Sequence, residues 1–533
     1  MNHQSEKKDF AFKNIKNMKR LIYINLIFAV LLFSTGCGKG FLTDLANNPN
    51  QPSQAPASLI LPPILSGYAS NVSFSSGTMG LWMGYYNISG NYSTTTNTNT
   101  YFVNSSGPSN WDNLYSILKN AAYIETNSAS DPFGAYSVAS AKILKCWGFQ
   151  ILVDGYGDVP YSEAFQGSAN FFPKYDDGQS IYDSCILQLD NAINMINTAD
   201  VNSTNLGNND IMFGGDMSQW AKFANTLKLR FIIRQSNKIS ASDATAEIAK
   251  TASTGYLDQD AMVNPGYINT AGKQSPLWTS YGVSPGGSLV SDGYLYLRGG
   301  GASVNFFKDN QDPRLFYTFA KDGSLPNTPE FSQIDGDASH YHAAYYGDRD
   351  AASAGGTNHV VGLGYGVMSG FDAPVPLFTA AESYFLQAEA AQRGWTGDDA
   401  QTLYENGITA SFTLLYTLAG KSAAQAVTDA STYYHKDANL IGWNASPNKI
   451  QAIITQKWAA LSGINSFEAW TEYRRTGYPD LATLPLSKFT PLTTHIPTKL
   501  MYPNSEQSNN QENYNAAVAK GNDPQNTKVF WMP

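Results

Sequence analysis

Apolar residues recur at helical spacing along most of this chain. Near the C-terminus Ile450, Ile453, Ile454, Trp458 and Leu461 form one stripe, and Lys457 can lay its stem along it. A second stripe, Phe467, Trp470 and Tyr473, is stopped by Gly477 and Pro479. Two short helices joined by Ser462–Asn465 make a helical hairpin, the repeat unit of an α-solenoid. The same periodicity predicts helices upstream, the first from about Ala57. Others run through Trp111, Leu114, Tyr115, Leu118 and Ala122, over Tyr136–Val153, through Tyr182, Ile186, Leu189, Ile193 and Ile196, and through Trp220, Phe223, Ala224, Leu227 and Phe231. Downstream, Ala381, Tyr384, Phe385, Ala388 and Ala391 form a helix ended by Gly394, followed by Tyr404, Ile408, Phe412 and Leu415. The expected fold is mainly α, a helical-repeat scaffold, although no strict 34-residue repeat is visible.

The pattern breaks in two places. After Val153 the run Asp154-Gly155-Tyr156-Gly157-Asp158-Val159-Pro160 forces a tight turn. Its two aspartates are read as turn caps; an EF-hand would need a glutamate where Phe165 stands. From about residue 253 to 372 the helical period fades and Gly, Ser, Asn, Tyr and Asp dominate, with Pro265, Pro285 and Pro326. An irregular insertion of that length is usually functional.

The N-terminus adds a targeting signal. Lys13, Lys16, Lys19 and Arg20 precede the apolar run Leu21–Phe33, which ends in Ser34-Thr35-Gly36-Cys37. This reads as a lipoprotein signal peptide over residues 1–36, with Cys37 as the lipidated residue and attachment to a membrane as the consequence. Ser34 departs from the leucine usual there, and Met18 would open a leader of ordinary length. The run is too short for a membrane span, which needs about 20 apolar residues. Residues 37–56, rich in Asn and Pro, read as an extended tether, and 57–533 as one domain. The other cysteines, Cys146 and Cys185, lie in separate helical patterns, as buried thiols or as a disulfide.

Charged residues make up only 14% of the chain and the net charge is −9, which counts against nucleic acid as a partner. No zincin, nucleophile-elbow or phosphate-loop motif occurs, so no catalytic residue, metal or cofactor is assigned. His340 and His342 have a chelating spacing, with His359 a distant third candidate, but a metal site needs three or more converging ligands and loop polarity is the preferred reading; Lys222, Lys228, Arg230 and Arg234 read as a solvated or ion-paired helix face. Aromatic residues are the better lead, because sugars present C–H faces to flat rings while amides and hydroxyls bond their oxygens. Two clusters qualify. Trp82, Tyr85, Tyr86 and Tyr92 lead into a run of Ser, Thr and Asn, and Trp278, Tyr281, Tyr294 and Tyr296 lie in the insertion.

Several runs are similar to the SusD/RagB family of nutrient-binding outer-membrane lipoproteins. They are NNPNQP at Asn47–Pro52, GYGDVPYSEA at Gly155–Ala164, WAKFANTLKLR at Trp220–Arg230, AESYFLQAEAAQRGW at Ala381–Trp395, and QKWAAL, EAW and YRRTGYP between Gln456 and Pro479. The Asp312-Pro313-Arg314 turn and the tail from Ile496 to Asn515 also match. The resemblance implies a SusD-like fold with four tetratricopeptide-like units and a loop-rich ligand face. It implies a non-catalytic, lipid-anchored surface protein that captures oligosaccharides for a SusC-like TonB-dependent transporter. A peptide-capturing RagB-like importer subunit and, as an enzyme, a surface glycoside hydrolase are the alternatives. Arg474 and Arg475, although within a signature, read as helix-end residues that bond terminal carbonyls.

Overall fold

A computed structural model describes residues 55–75, 77–89, 101–128, 134–200, 203–290, 293–344, 359–480 and 496–533. Cys37 and Tyr92 lie outside the described residues. Most of the long helices start on a short polar side chain that accepts from the first free amides. Asp177 caps α5 (Gly178–Asn197), Asp216 caps α6 (Met217–Arg234), and Ser240 caps α7 (Ala241–Ala249). Thr379 caps α12 (Ala380–Gln392), Asp399 caps α13 (Ala400–Leu418), and Ser422 caps α14 (Ala423–Tyr434). Asn448 and Asn465 cap α15 (Lys449–Leu461) and α16 (Ser466–Thr476), and Gly477 ends α16 in the left-handed region at φ 75°. Upstream lie α1 (Ala57–Ser75), α2 (Thr78–Trp82), α3 (Trp111–Asn127) and α4 (Gly134–Tyr156).

Neighbours in sequence are neighbours in space. Helix α3 packs on α4, α4 on α5, and α5 on α6, while α12 packs on α13, α13 on α14, and α15 on α16. Contacts of α6 with α12, and of α12 with α15, join the two runs into the expected tetratricopeptide-like scaffold. The middle helices carry no solvated face. Cys146–Tyr156 of α4, Phe223–Arg234 of α6 and Ala452–Leu461 of α15 are buried on all sides. The stripes read from the sequence therefore mark only part of the contact surface, because an inner helix of a stack is covered from several directions.

Burying those faces requires pairing the charges on them. Arg230, Arg234, Lys457, Arg474 and Arg475 lie in the core with Asp154, Glu382, Glu389, Glu468 and Glu472, five of each sign. Arg230 meets Glu382 at 3.0 Å; Arg234 meets Glu468 at 2.6 Å and also pairs with Glu472. Lys457 reaches Glu468 at 3.0 Å, and Arg475 bridges Glu389 at 2.7 Å and Glu472 at 2.5 Å. The basic residues of α6 are thus all ion-paired: Lys222 holds Asp258 at 2.8 Å on a partly exposed edge, and Lys228 holds Asp190 at 2.6 Å. Arg474 and Arg475 are not finishing their own helix. Arg474 donates to the carbonyls of Asp154 at 2.7 Å and Thr498 at 2.9 Å, and Arg475 belongs to the ionic core.

The aspartates of the 154–160 turn differ from the expected caps as well. Asp154 is buried and accepts from Tyr182 Oη at 2.5 Å and Trp531 Nε1 at 2.8 Å. Asp158 accepts from Gly178 N at 3.1 Å and Lys520 Nζ at 2.7 Å. Both tie the turn to distant segments. Cys146 and Cys185 are free buried thiols, with Cys146 Sγ 3.5 Å from the Cys185 carbonyl.

The irregular segment is built from short elements. These are β4 (Ala261–Val263), α8 (Pro276–Tyr281), α9 (Gly293–Tyr296), β5 (Leu297–Gly299), α10 (Gly301–Asp309), α11 (Leu315–Thr318), β6 (Phe319–Ala320) and β7 (Gly362–Leu363). It closes on itself where β4 pairs antiparallel with β8 (Val375–Phe378), the strand leading into α12. Arg314 pins it to the scaffold: its guanidinium pairs with Asp312 at 2.6 Å, donates to Gln456 Oε1 at 2.7 Å and lies 5.0 Å from the centre of the Phe412 ring.

Candidate ligand-binding site

The two aromatic clusters, some two hundred residues apart in sequence, meet in the structure. Strand β1 (Tyr86–Ile88) pairs antiparallel with β5, Tyr86 opposite Gly299, and Ser89 N donates to the Tyr296 carbonyl at 2.8 Å. Most of the rings so gathered are spent on packing. Tyr85 stacks on Trp458 with centroids 5.3 Å apart and donates to its carbonyl at 2.5 Å, while Trp458 Nε1 donates back to the Met83 carbonyl at 3.0 Å. Trp82 leans on Trp470 at 5.3 Å, and Tyr86 meets Tyr85 edge-on. Tyr294 donates to the Leu363 carbonyl at 3.1 Å beneath Phe331. Trp82, Tyr85, Tyr86 and Tyr294 are therefore buried and offer no ring face to solvent, because the α15–α16 hairpin and the strand pairs cover them. Tyr281 and Tyr296 are half-buried neighbours; burial, reinforced by Tyr296, raises the Tyr281 hydroxyl above its ordinary range.

Trp278 has a different setting. The residue is buried, with 8% of its surface exposed, and it contributes to the wall of an open cleft of about 400 Å³, with Phe371, Val283 and Pro326 as apolar surface and Asn269, Ser284, Asn327 and Thr328 around it. Its indole is fixed by a hydrogen bond from Nε1 to the Val283 carbonyl at 3.0 Å and an edge contact with Phe331. Gly282 makes this possible, since a Cβ there would fall 2.4 Å from Trp278 Cδ2. None of the described residues lining the cleft is charged. An aromatic wall with amides and hydroxyls around it can take up the C–H face and the oxygens of an uncharged sugar.

The other candidates for chemistry are engaged elsewhere. His340 Nδ1 lies 2.9 Å from Asp335, and His342 Nδ1 lies 2.5 Å from Asp322, two exposed pairs on separate partners. The buried carboxylates serve the ionic core, and burial with opposing charges moves them apart. Burial alone would raise Glu468, but Arg234, Lys457 and Arg230 outweigh it and hold the carboxyl at about 2. Burial prevails at Glu382 and Asp154, which are raised.

Of the sequence-predicted positions, Trp278 alone lines the cleft. The polar rim and Phe371 were not foreseen: an asparagine in a loop carries no periodic signal, and Phe371 sits almost at the end of the irregular segment. Proline offered the one hint, since Pro285 and Pro326 bracket two of the loops that form the cleft.

Comparison with known proteins supports this architecture. A family profile, SusD-like, described as starch-binding and associating with the outer membrane, matches residues 49–503. Among solved structures, a chitin-binding protein shares 26% identity with a TM-score of 0.70, covering 90% of this chain and 100% of its own. A SusD homologue from Bacteroides fragilis shares 23% identity with a TM-score of 0.69, over 90% of this chain and 99% of that one. Another from Bacteroides uniformis shares 23% with a TM-score of 0.66, over 89% and 99%. The search of curated proteins returned no match. Among the described residues, no helix is long and apolar enough to cross a membrane.

Proposed function

This chain belongs to the SusD/RagB family of outer-membrane-associated, nutrient-binding proteins, and on that footing we propose that it is a non-catalytic surface lipoprotein that captures oligosaccharides and passes them to a partner TonB-dependent transporter. Cys37 is the proposed lipid attachment point, and the Trp278 cleft is the proposed site of capture. The observation that carries the reading is the composition of that cleft, an aromatic wall with uncharged polar groups and no carboxylate among its described lining residues. A glycosidase needs a pair of carboxylates flanking the scissile bond. Peptide capture favours backbone-pairing edges and acidic or basic pockets. The described lining residues supply neither a carboxylate pair nor an acidic or basic pocket, and the aromatic and amide groups they do supply suit a sugar. The chitin-binding relative makes N-acetylglucosamine oligosaccharides the first ligands to test.

Two measurements test the proposal. The tagged protein is isolated from native outer membranes in mild detergent; a stoichiometric TonB-dependent barrel is expected with it, and its absence would sink the delivery role. Calorimetry with neutral oligosaccharides tests capture. Trp278→Ala is expected to weaken binding about tenfold or more, the scale of one stacked ring. Release of shorter products by the wild-type protein would instead establish the hydrolase alternative.

A further inference from the structure

Gln274 is buried behind the cleft wall and bonds two of the residues that line it. Its side-chain Nε2 donates to two acceptors, the Val283 carbonyl at 3.0 Å and Asn269 Oδ1 at 2.9 Å. The Val283 carbonyl also receives Trp278 Nε1, and the next residue, Ser275, donates its backbone N–H to the Phe371 carbonyl at 2.7 Å. One buried amide and its neighbour in the chain therefore hold three cleft residues in register, Asn269, Val283 and Phe371.

This arrangement also settles an orientation. A carbonyl can only accept, so the nitrogen end of Gln274 must face Val283. That nitrogen donates its second hydrogen to Asn269, which must turn its oxygen inward. The Asn269 NH₂ is left to face away from Gln274, as a donor on an exposed cleft residue.

We propose that Gln274 is a positioning residue for ligand capture, fixing Asn269 as a hydrogen-bond donor so that the cleft takes an uncharged saccharide presenting an acceptor oxygen to this wall. The proposal rests on the glycan-binding reading of the Trp278 cleft. Gln274 makes no ligand contact itself; removing its donors frees the Asn269 amide to rotate, while the Val283 carbonyl keeps its bond from Trp278 Nε1.

A double-mutant cycle on the full mature chain tests this. Binding of neutral tri- to hexasaccharides of N-acetylglucosamine, glucose, xylose and mannose is measured by calorimetry for wild type, Gln274→Met, Asn269→Ala and the double variant, with thermal unfolding alongside. Gln274→Met is expected to lose about tenfold in affinity in the wild-type background and less than about twofold once Asn269 is alanine, the coupling expected of neighbours that act through one contact. An equal loss in both backgrounds, or none in either, overturns the proposal, since a purely structural role does not depend on Asn269. If wild type binds no member of the panel, the glycan reading of the cleft fails first, and the positioning role falls with it. Should Gln274→Met not fold, Gln274→Leu, which also lacks a donor and buries no charge, takes its place in the cycle.

Discussion

Arg234 has three carboxylates within reach, Glu468, Glu472 and Asp154, and is fully buried. Removing one partner of such a group leaves uncompensated charge in the core, so Arg234→Met is expected to destabilise by about 3–5 kcal/mol, read from urea unfolding. Acid should act on the same network. Glu468 stays ionised in the folded protein down to about pH 2, whereas an unfolded glutamate protonates near ~4.3. Its contribution is complete above that value and is lost as pH falls toward 2, and Glu468→Gln should flatten this limb of the stability curve. Asp260 runs the other way. Burial, partly offset by the hydrogen bond from Ala380 N, raises its carboxyl to about 6. That stability is present below the ordinary aspartate range and disappears as pH rises through 6, so Asp260→Asn should stabilise at pH 8 by about 1–2 kcal/mol and much less at pH 4. Thermal unfolding at the two pH values decides it.

Among the short elements, α8 carries the consequence that is easiest to measure. Gly282→Ala would drive a methyl into the Trp278 ring, so ligand affinity should fall severalfold while the scaffold's unfolding midpoint moves little. Had the ring been free to yield, affinity would not change. The sequence makes the long helices legible because Ile, Leu, Phe and Trp contrast sharply with their polar neighbours; α15 and α16 end where the stripe and Gly477 predict. Helices α7 and α14 escaped that reading. The first buries only Ala244 and Ile248, the second Ala426, Ala430 and Tyr433, and alanine gives too little contrast to mark a face. The burial of Trp82, Tyr85 and Tyr86 was illegible for another reason: what covers them, the α15–α16 hairpin, arrives almost four hundred residues later. Of the site itself, the aromatic signal pointed to Trp278, while its polar partners depended on loop geometry that no local pattern encodes.

In the molecule as a whole, the buried ionic cluster joins the α3–α6 run to the α12–α16 run through two arginines of α6, Arg230 on Glu382 and Arg234 on Glu468 and Glu472. Hydrogen exchange should therefore show both runs opening together in the wild-type protein, and Arg234→Met should let α5 and α6 exchange ahead of α15 and α16. Unchanged, concerted exchange in that variant would mean that apolar contact alone couples them. The β4–β8 pairing carries a different message. Because it brings the two ends of a stretch of more than a hundred residues side by side, that stretch leaves and rejoins the helical frame at a single doorway. Lengthening or shortening a loop inside that stretch therefore leaves the entry and exit of the flanking helices where they are.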